Sequence, residues 1–122
     1  MFAIHSKIEL LKRDKQPLGS YARHYYDLFQ LSENSEVGIM LRSAEYAASK
    51  SDYDQISRAH FPRSYLFPEG MSFARSDALF PPSEFEAVIA PEYEAQCRLL
   101  CYGAYPSWAK VRARFLDLRG LL

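Results

Sequence analysis

Length, composition and charge limit this chain to one small domain. It has 122 residues, enough for a single hydrophobic core, and 48% of them are hydrophobic and 25% charged, as in ordinary globular domains. Fifteen basic residues balance fifteen acidic ones, so the composition gives no reason to expect a general nucleic-acid binder. No apolar run approaches the roughly 20 residues that span a bilayer, and the N-terminus lacks the order of a secretory signal. A cytoplasmic protein with no membrane association is therefore expected.

Hydrophobic spacing predicts two helices in the first quarter of the chain, joined by the break DKQPLGS. The first covers about residues 2–13 and the second about residues 21–31, with Ser20 as its N-cap. Asp27 lies near the edge of the second apolar stripe, where it is either an ordinary exposed acid or part of a site. The apolar positions of the two stripes are Ile4, Ile8, Leu11, Tyr21, Tyr25, Leu28 and Phe29.

The middle of the chain is predicted to hold two more helices and a long loop. A third helix, over about residues 36–49, follows the polar turn SENSE. A shorter fourth helix is predicted after a bend, because Ser51 and Asp54 stand at capping-box spacing. Four prolines and a glycine then interrupt residues 61–82, which we expect to form an ordered loop held by its aromatic side chains.

The last third of the chain is predicted to be helical again. Ser83 and Glu86 have capping-box spacing, a further helix is expected to begin at Pro91, and the last helix begins at about Pro106. The fold class is therefore all-α, a compact helical bundle with a long proline- and aromatic-rich loop, and residues 1–122 form one domain. The last helix carries a basic strip, best explained as a solvated face, at Lys110, Arg112, Arg114 and Arg119.

Two residue pairs have the spacing of metal ligands. Cys97 and Cys101 lie four apart on a predicted helix, where they are either half of a metal site or two half-buried free thiols, and the scattered histidines favour thiols. Asp52 and Asp54 form the chain's one Asp-x-Asp pair, but they stand in a helical context, where capping and solvation explain them better. No metal ligand is predicted.

One arrangement of charged residues has the chemistry of a nucleotide site. Gly-rich phosphate loops and nucleophile elbows do not occur in the sequence, which disfavours most self-contained enzymes. Antiparallel packing of the first two helices would bring Lys7 and Asp27 to one side, beside Arg23. A lysine and an arginine there would bind phosphates, and the aspartate would accept a proton from a hydroxyl. The alternative is a plain ion pair between two helices.

The segments SKIELL and RHYYDLFQL resemble the paired signature of the AbiEii/AbiGii-type nucleotidyltransferase toxin family. The similarity continues in the same order through SRAHF, LFPEGMSFARSDALFPP, PEYEAQCRLLCYGAYPSW and RFLDLRGLL, nearly the whole chain. The resemblance implies that Lys7 and Arg23 bind nucleotide phosphates and that Lys7 and Asp27 are the catalytic residues. His24 stands where many relatives carry an aspartate, so it receives no role.

In that family a Gly-Ser motif followed by an Asp-x-Asp pair holds the metal in an N-terminal domain. The chain has no such combined motif, since Asp52 and Asp54 follow the signature segments instead of preceding them. The resemblance therefore implies the helical C-terminal part of a nucleotidyltransferase toxin, without the N-terminal metal-binding domain. The intact enzyme would use Mg²⁺ and an NTP, with RNA as a plausible acceptor. The chain alone would hold no cofactor and be inactive, and its partner would be the missing half, a toxin or an antitoxin.

Two alternatives stay open. The chain is a stand-alone binding module, such as an antitoxin or immunity-like partner, that docks through the aromatic loop 61–80. Otherwise it forms a homodimer, because the missing domain leaves the apolar stripe of the first two helices bare.

Overall fold

Helices account for most of the chain, and no strand occurs in the part that the structure describes. The computed structural model describes residues 1–70 and 72–122, and this part confirms the all-α class. Its α-helices are α1 (Phe2–Asp14), α2 (His24–Ser32), α3 (Ser35–Met40), α4 (Ala44–His60), α5 (Ser83–Leu100) and α6 (Trp108–Leu118). Its 3₁₀ segments are Gly19–Arg23, Phe73–Arg75 and Arg119–Leu121. Within these residues no helix has the length and apolar character needed to cross a membrane.

The core forms where α1, α2, α5 and α6 meet, with side chains of the loop 61–82 added to it. The stripe predicted on α1 is buried, as is the inner face of α2 at Tyr25 and Phe29. Each such side chain contributes roughly 1.5–3 kcal/mol when it is removed from water. Of the second predicted stripe, Leu28 is partly buried and Tyr21 remains exposed.

Two buried tyrosines tie the connecting segments to this core. The Tyr25 hydroxyl donates to the Ala78 carbonyl at 2.8 Å, and the Tyr93 hydroxyl donates to the Pro106 carbonyl at 2.7 Å. Burial raises the pKa of both phenols well above the ordinary value, so both hydroxyls keep their protons and remain donors. A buried polar group without a partner is costly, so these bonds fix the loop and the start of α6 against the core.

The helix starts differ from the predicted ones at two places in the first half. Ser20 is not an N-cap, because the 3₁₀ turn that precedes α2 already begins at Gly19. The break in the middle of the chain lies at residues 41–43, where the Ser43 hydroxyl caps α4 by accepting the Tyr46 N–H at 3.1 Å. Ser51 and Asp54 therefore lie inside α4, and the capping box predicted from them is wrong.

The prediction of a helix boundary at Pro91 is also wrong. Helix α5 runs from Ser83 through Pro91 without interruption, and Ser83 is its first helical residue rather than its cap. Glu86 does not close a capping box, because its carboxylate accepts the Trp108 indole N–H at 2.8 Å and an Arg112 N–H at 2.7 Å. The Glu86 side chain that the local pattern assigned to a cap instead bonds to two residues of α6.

The loop 61–82 turns most of its aromatic rings inward. Phe67 and Phe73 are buried, and Phe2 from α1 packs against both, with ring centroids 5.1 and 4.8 Å away. The Tyr65 hydroxyl donates to Asp54 at 2.7 Å and so attaches the loop to α4. Met71 belongs to this loop and lies outside the described residues. The rings that the sequence offered as a docking surface are largely used in packing.

Candidate functional site

A surface groove separates the start of α2 from the end of α5. Its volume is about 350 Å³. One wall carries charged and phenolic groups and the other carries thiols, an amide and one leucine. The lining residues are Arg23, Tyr26, Asp27, Gln96, Cys97, Leu100 and Cys101.

The two walls are held together where the 3₁₀ segment meets α5. The backbone N–H of Gly19 donates to the Glu92 carboxylate at 2.9 Å. Gly19 has φ +53°, a left-handed conformation that glycine adopts without strain. The turn therefore presents its N–H to α5, and Arg23 follows at the other end of the same segment.

Arg23 and Asp27 are four residues apart, so one helical face carries both into the groove. The Asp27 carboxylate is 54% exposed, and one of its oxygens lies 3.3 Å from Nδ1 of His24. Asp27 is thus a solvent-facing acid at the rim, while Tyr25 and Phe29 of the same helix point into the core. The His24 contact is one that the sequence did not predict.

Lys7 does not line this groove. Its ammonium lies 4.2 Å from the centroid of the Tyr21 ring, a cation–π contact, and the Tyr21 ring in turn meets His24 edge-on at 5.6 Å. The surface therefore runs from Lys7 through Tyr21 and His24 to Asp27. The predicted pair, Lys7 and Asp27, is joined by two intermediate aromatic side chains instead of by direct contact.

The groove does not fit a magnesium site by itself. Asp27 is the single carboxylate among its lining residues, and no group of three potential ligands occurs in residues 1–70 and 72–122. Mg²⁺ requires near-octahedral oxygen ligands, commonly one or two carboxylates together with substrate phosphates. Any such ion would need most of its ligands from outside the groove.

Asp54 has partners of another kind. Its carboxylate accepts an Arg58 N–H at 2.9 Å and the Tyr65 hydroxyl at 2.7 Å. The hydrogen bond from Arg58 is the main cause that lowers the pKa of Asp54. Its neighbour Asp52 is exposed on α4. Asp54, through Tyr65, therefore attaches the loop 61–82 to α4.

The basic strip predicted on α6 is partly bound to other elements. Arg112 pairs with Glu86 at 2.7 Å. Arg114 pairs with Glu33 at 2.9 Å and also donates to the hydroxyl and carbonyl of Ser32 at the end of α2. These two guanidinium groups connect α6 to its neighbours, so the strip is more than a solvated face.

A second depression is almost wholly apolar. It lies between α2, α3 and α6, has a volume of about 240 Å³, and includes the exposed side chains of Leu31 and Met40 in its lining. Its lining residues are Met1, Leu28, Leu31, Ser32, Val37, Met40, Leu41, Leu79, Phe115, Leu118 and Leu122. We call it the apolar cleft.

Comparison of the chain with protein-family models, with curated proteins and with solved structures gave no match. The functional interpretation therefore depends on the groove and on the sequence motifs.

Proposed function

We propose that this chain is the helical C-terminal part of an AbiEii-like nucleotidyltransferase toxin, which contributes to NTP-dependent nucleotide transfer in the cytoplasm. Lys7 and Arg23 bind the nucleotide phosphates, and Asp27 acts on the acceptor side. The observation that carries the proposal is the joint presence of Arg23 and Asp27 in one groove, with Lys7 connected to it through Tyr21 and His24.

The chemistry of these groups suits a nucleotide. The exposed Arg23 guanidinium offers a planar fork of donors that matches phosphate oxygens. The Lys7 ammonium of this half-buried side chain rests over the Tyr21 ring, a contact worth roughly 0.5–2 kcal/mol that a phosphate can replace. Asp27 is exposed and can accept a proton from an acceptor hydroxyl.

The end of α5 supports the proposal that another domain covers the groove. Leu99 and Leu100 are 77% and 53% exposed, and Tyr102, just beyond the helix, is fully exposed. Several large exposed apolar side chains this close in the chain are typical of an interaction site. A partner domain seated there would complete the groove with the carboxylates that a metal needs. Without it the chain binds nucleotide weakly and catalyses nothing.

The test is a titration of the purified chain with Mg²⁺-ATP and Mg²⁺-GTP, followed by amide NMR shifts. We expect shifts at Arg23 and Asp27. Removing one cation by Lys7→Ala or Arg23→Ala should weaken binding by about five- to tenfold, since a hydrogen bond to a charged group contributes roughly 1.5–3 kcal/mol when desolvated and less at a surface. Asp27→Asn should leave binding unchanged or tighten it, because the carboxylate repels phosphate.

Lys15→Ala is the matched control, since it removes the same charge from an exposed position that neither lines the groove nor lies over the Tyr21 ring beside it. An equal loss of affinity in Lys7→Ala and Lys15→Ala would reduce the effect to net charge and overturn the phosphate site. Absence of shifts at millimolar nucleotide would do the same.

The alternative function is a non-catalytic binding module, and the observation that favours it is the apolar cleft. Its partner would be a complete toxin of the same family, which inserts an apolar side chain between α2 and α3. Co-purification of such a toxin that survives Ile56→Glu on α4 but is lost in Leu31→Glu, in the lining of the cleft, would support this alternative. Both residues are exposed, so neither change should unfold the chain.

A further inference from the structure

The thiols of Cys97 and Cys101 line the same wall of the groove. Both are free. Cys97 is only 2% exposed, whereas Cys101 is half-buried and opens to the groove. The two residues therefore differ in access although they share a helical face.

The backbone brings the two cysteines within reach of each other. The Cys101 N–H donates to the Cys97 carbonyl at 2.8 Å, the bond of a regular last helical turn. Residues four apart in an α-helix have Cα atoms about 6 Å apart, which lies inside the range of disulfides. Cys101 itself has φ −95° and ψ 125°, so the helix ends at this residue and the turn can unwind from its free end.

We propose that Cys97 and Cys101 form a reversible dithiol–disulfide pair that reacts with low-molecular-weight disulfides such as oxidised glutathione. The reaction of the two thiols requires no bound nucleotide, although both thiols line the groove that also carries Arg23 and Asp27. The accessible thiol of Cys101 attacks the small disulfide, and the buried thiol of Cys97 then closes the protein disulfide.

Cys101 reacts first and Cys97 second. The Cys101 thiolate attacks one sulfur of the glutathione disulfide, forms a mixed disulfide and releases one glutathione thiolate, which takes up a proton. Cys97 then loses its proton to water, attacks the Cys101 sulfur and expels the second glutathione. Two protein thiols are oxidised, and one small disulfide is reduced to two thiols. Burial raises the pKa of the Cys97 thiol, which makes it the poorer first nucleophile.

The bond should be labile. The side chains of two helical residues four apart do not meet at disulfide geometry, so closure must break the hydrogen bond between Cys101 and Cys97 and distort the last turn of α5. Strained disulfides have more oxidising potentials than structural ones. The oxidised form would therefore be reduced readily by glutathione, as a reversible modification requires.

The experiment treats the folded chain with oxidised glutathione, alkylates the remaining thiols and measures the intact mass. We expect the wild type to lose two hydrogen atoms. Cys97→Ser should stop at one bound glutathione, and Cys101→Ser should react at least about tenfold more slowly, because its remaining thiol is buried. Circular dichroism checks that both variants are folded.

A tryptic digest of the oxidised wild type tests directly whether a disulfide joins Cys97 to Cys101. Trypsin cleaves after Arg98, between the two cysteines, so an intramolecular disulfide leaves the two resulting peptides joined. Two separate glutathione adducts, or no reaction in the folded chain while the denatured chain reacts, would overturn the proposal.

Discussion

His5 is the one histidine of this chain that lies in the core. Its Nε2 meets the Leu66 carbonyl at 3.1 Å and its Nδ1 meets the Ser76 hydroxyl at 2.7 Å. Because a carbonyl only accepts, Nε2 carries the proton and Nδ1 accepts from Ser76. The Ser76 oxygen in turn accepts the Ala78 N–H. The neutral imidazole thus joins α1 to the loop.

Because of His5, the free energy of unfolding should decrease as the pH is lowered. Burial lowers the pKa of His5, although the Leu66 carbonyl opposes the change. The unfolded chain titrates at an ordinary pKa of about 6.5 and binds more protons between the two values, so the free energy of unfolding decreases as pH falls through that window. The contribution is complete above about pH 6.5. Urea unfolding at a series of pH values, followed by circular dichroism, measures it.

Substitution separates His5 from the other titrating groups. His5→Gln should cost roughly 1–3 kcal/mol at pH 7.5, because it breaks two buried contacts, and should flatten the pH dependence of stability below about pH 6.5. His60→Gln, at an exposed position, should keep the wild-type slope. A slope that persists unchanged in His5→Gln would mean that His5 is not the source of the pH dependence.

The site residues were predictable to the extent that local spacing determines them. Arg23 and Asp27 share the groove because a helix puts positions four apart on one face. The position of Lys7 depends on the path of the 3₁₀ turn, so the spacing predicted a common side for Lys7 and Asp27 but not the two aromatic rings that lie between them. The opposite wall, with Cys97, comes from a helix some seventy positions later in the chain, and no local pattern brings it there.

At the scale of elements, Glu86 connects α5 to α6. Its carboxylate accepts from the Trp108 indole and from Arg112. Glu86→Ala should reduce the free energy of unfolding by about 1–3 kcal/mol, chiefly because the indole N–H loses its partner. Glu86→Gln should cost less, since an amide oxygen still accepts that bond. Denaturant unfolding compares the two.

The exposed Glu84, two residues earlier, is the control for that experiment. Glu84→Ala removes only an acidic group from the first turn of α5, an effect below about 1 kcal/mol. Equal losses from Glu84→Ala and Glu86→Ala would mean that the helix dipole, and not the bridge, accounts for the effect.

Pro91 interrupts the hydrogen bonds of α5 without ending the helix. It has no N–H to offer the Ala87 carbonyl, which normally costs about 3 kcal/mol in a helix interior. Pro91→Ala should therefore stabilise the chain by about 1–2 kcal/mol, after the greater flexibility of the unfolded alanine chain is subtracted. Pro106→Ala, outside any helix, should give no gain, and thermal unfolding of both variants tests this.

The same residue shows why helix boundaries were harder to predict than helix existence. Proline and capping-box spacing are local preferences of about 1 kcal/mol, and tertiary packing overrides them. The buried residues Ile89 and Tyr93 lie on either side of Pro91 and hold one continuous helix against the core. The apolar stripe of α1 and the inner positions Tyr25 and Phe29 of α2 were predicted because burial of several side chains outweighs any single cap.

At the scale of the whole molecule, α4 is the least anchored long helix of the described chain. Ser57 is its one buried residue, and its contacts with the body include a ring stack of Tyr53 on Phe2 at 4.3 Å and the bond from Arg58 to the Phe67 carbonyl. We expect α4 to open before the core, since local stability follows buried apolar contact.

Native-state hydrogen exchange should detect this opening as faster exchange in α4 than in α5. Tyr53→Ala should accelerate exchange along α4 because it removes the stack on Phe2, whereas Ile56→Ala, at a side chain that is 58% exposed, should not. Exchange of α4 and α5 at one common rate in both variants would mean that the molecule opens as a single unit.

The single tryptophan of the chain gives this architecture an optical consequence. Trp108 is 6% exposed, its indole N–H is bonded to Glu86, and its ring meets Tyr25 edge-on at 4.9 Å. Its fluorescence therefore reports on one place, the junction of α2, α5 and α6. A shift of the emission maximum to longer wavelength would show that this junction has opened. Detachment of α4 alone would leave the emission maximum unchanged.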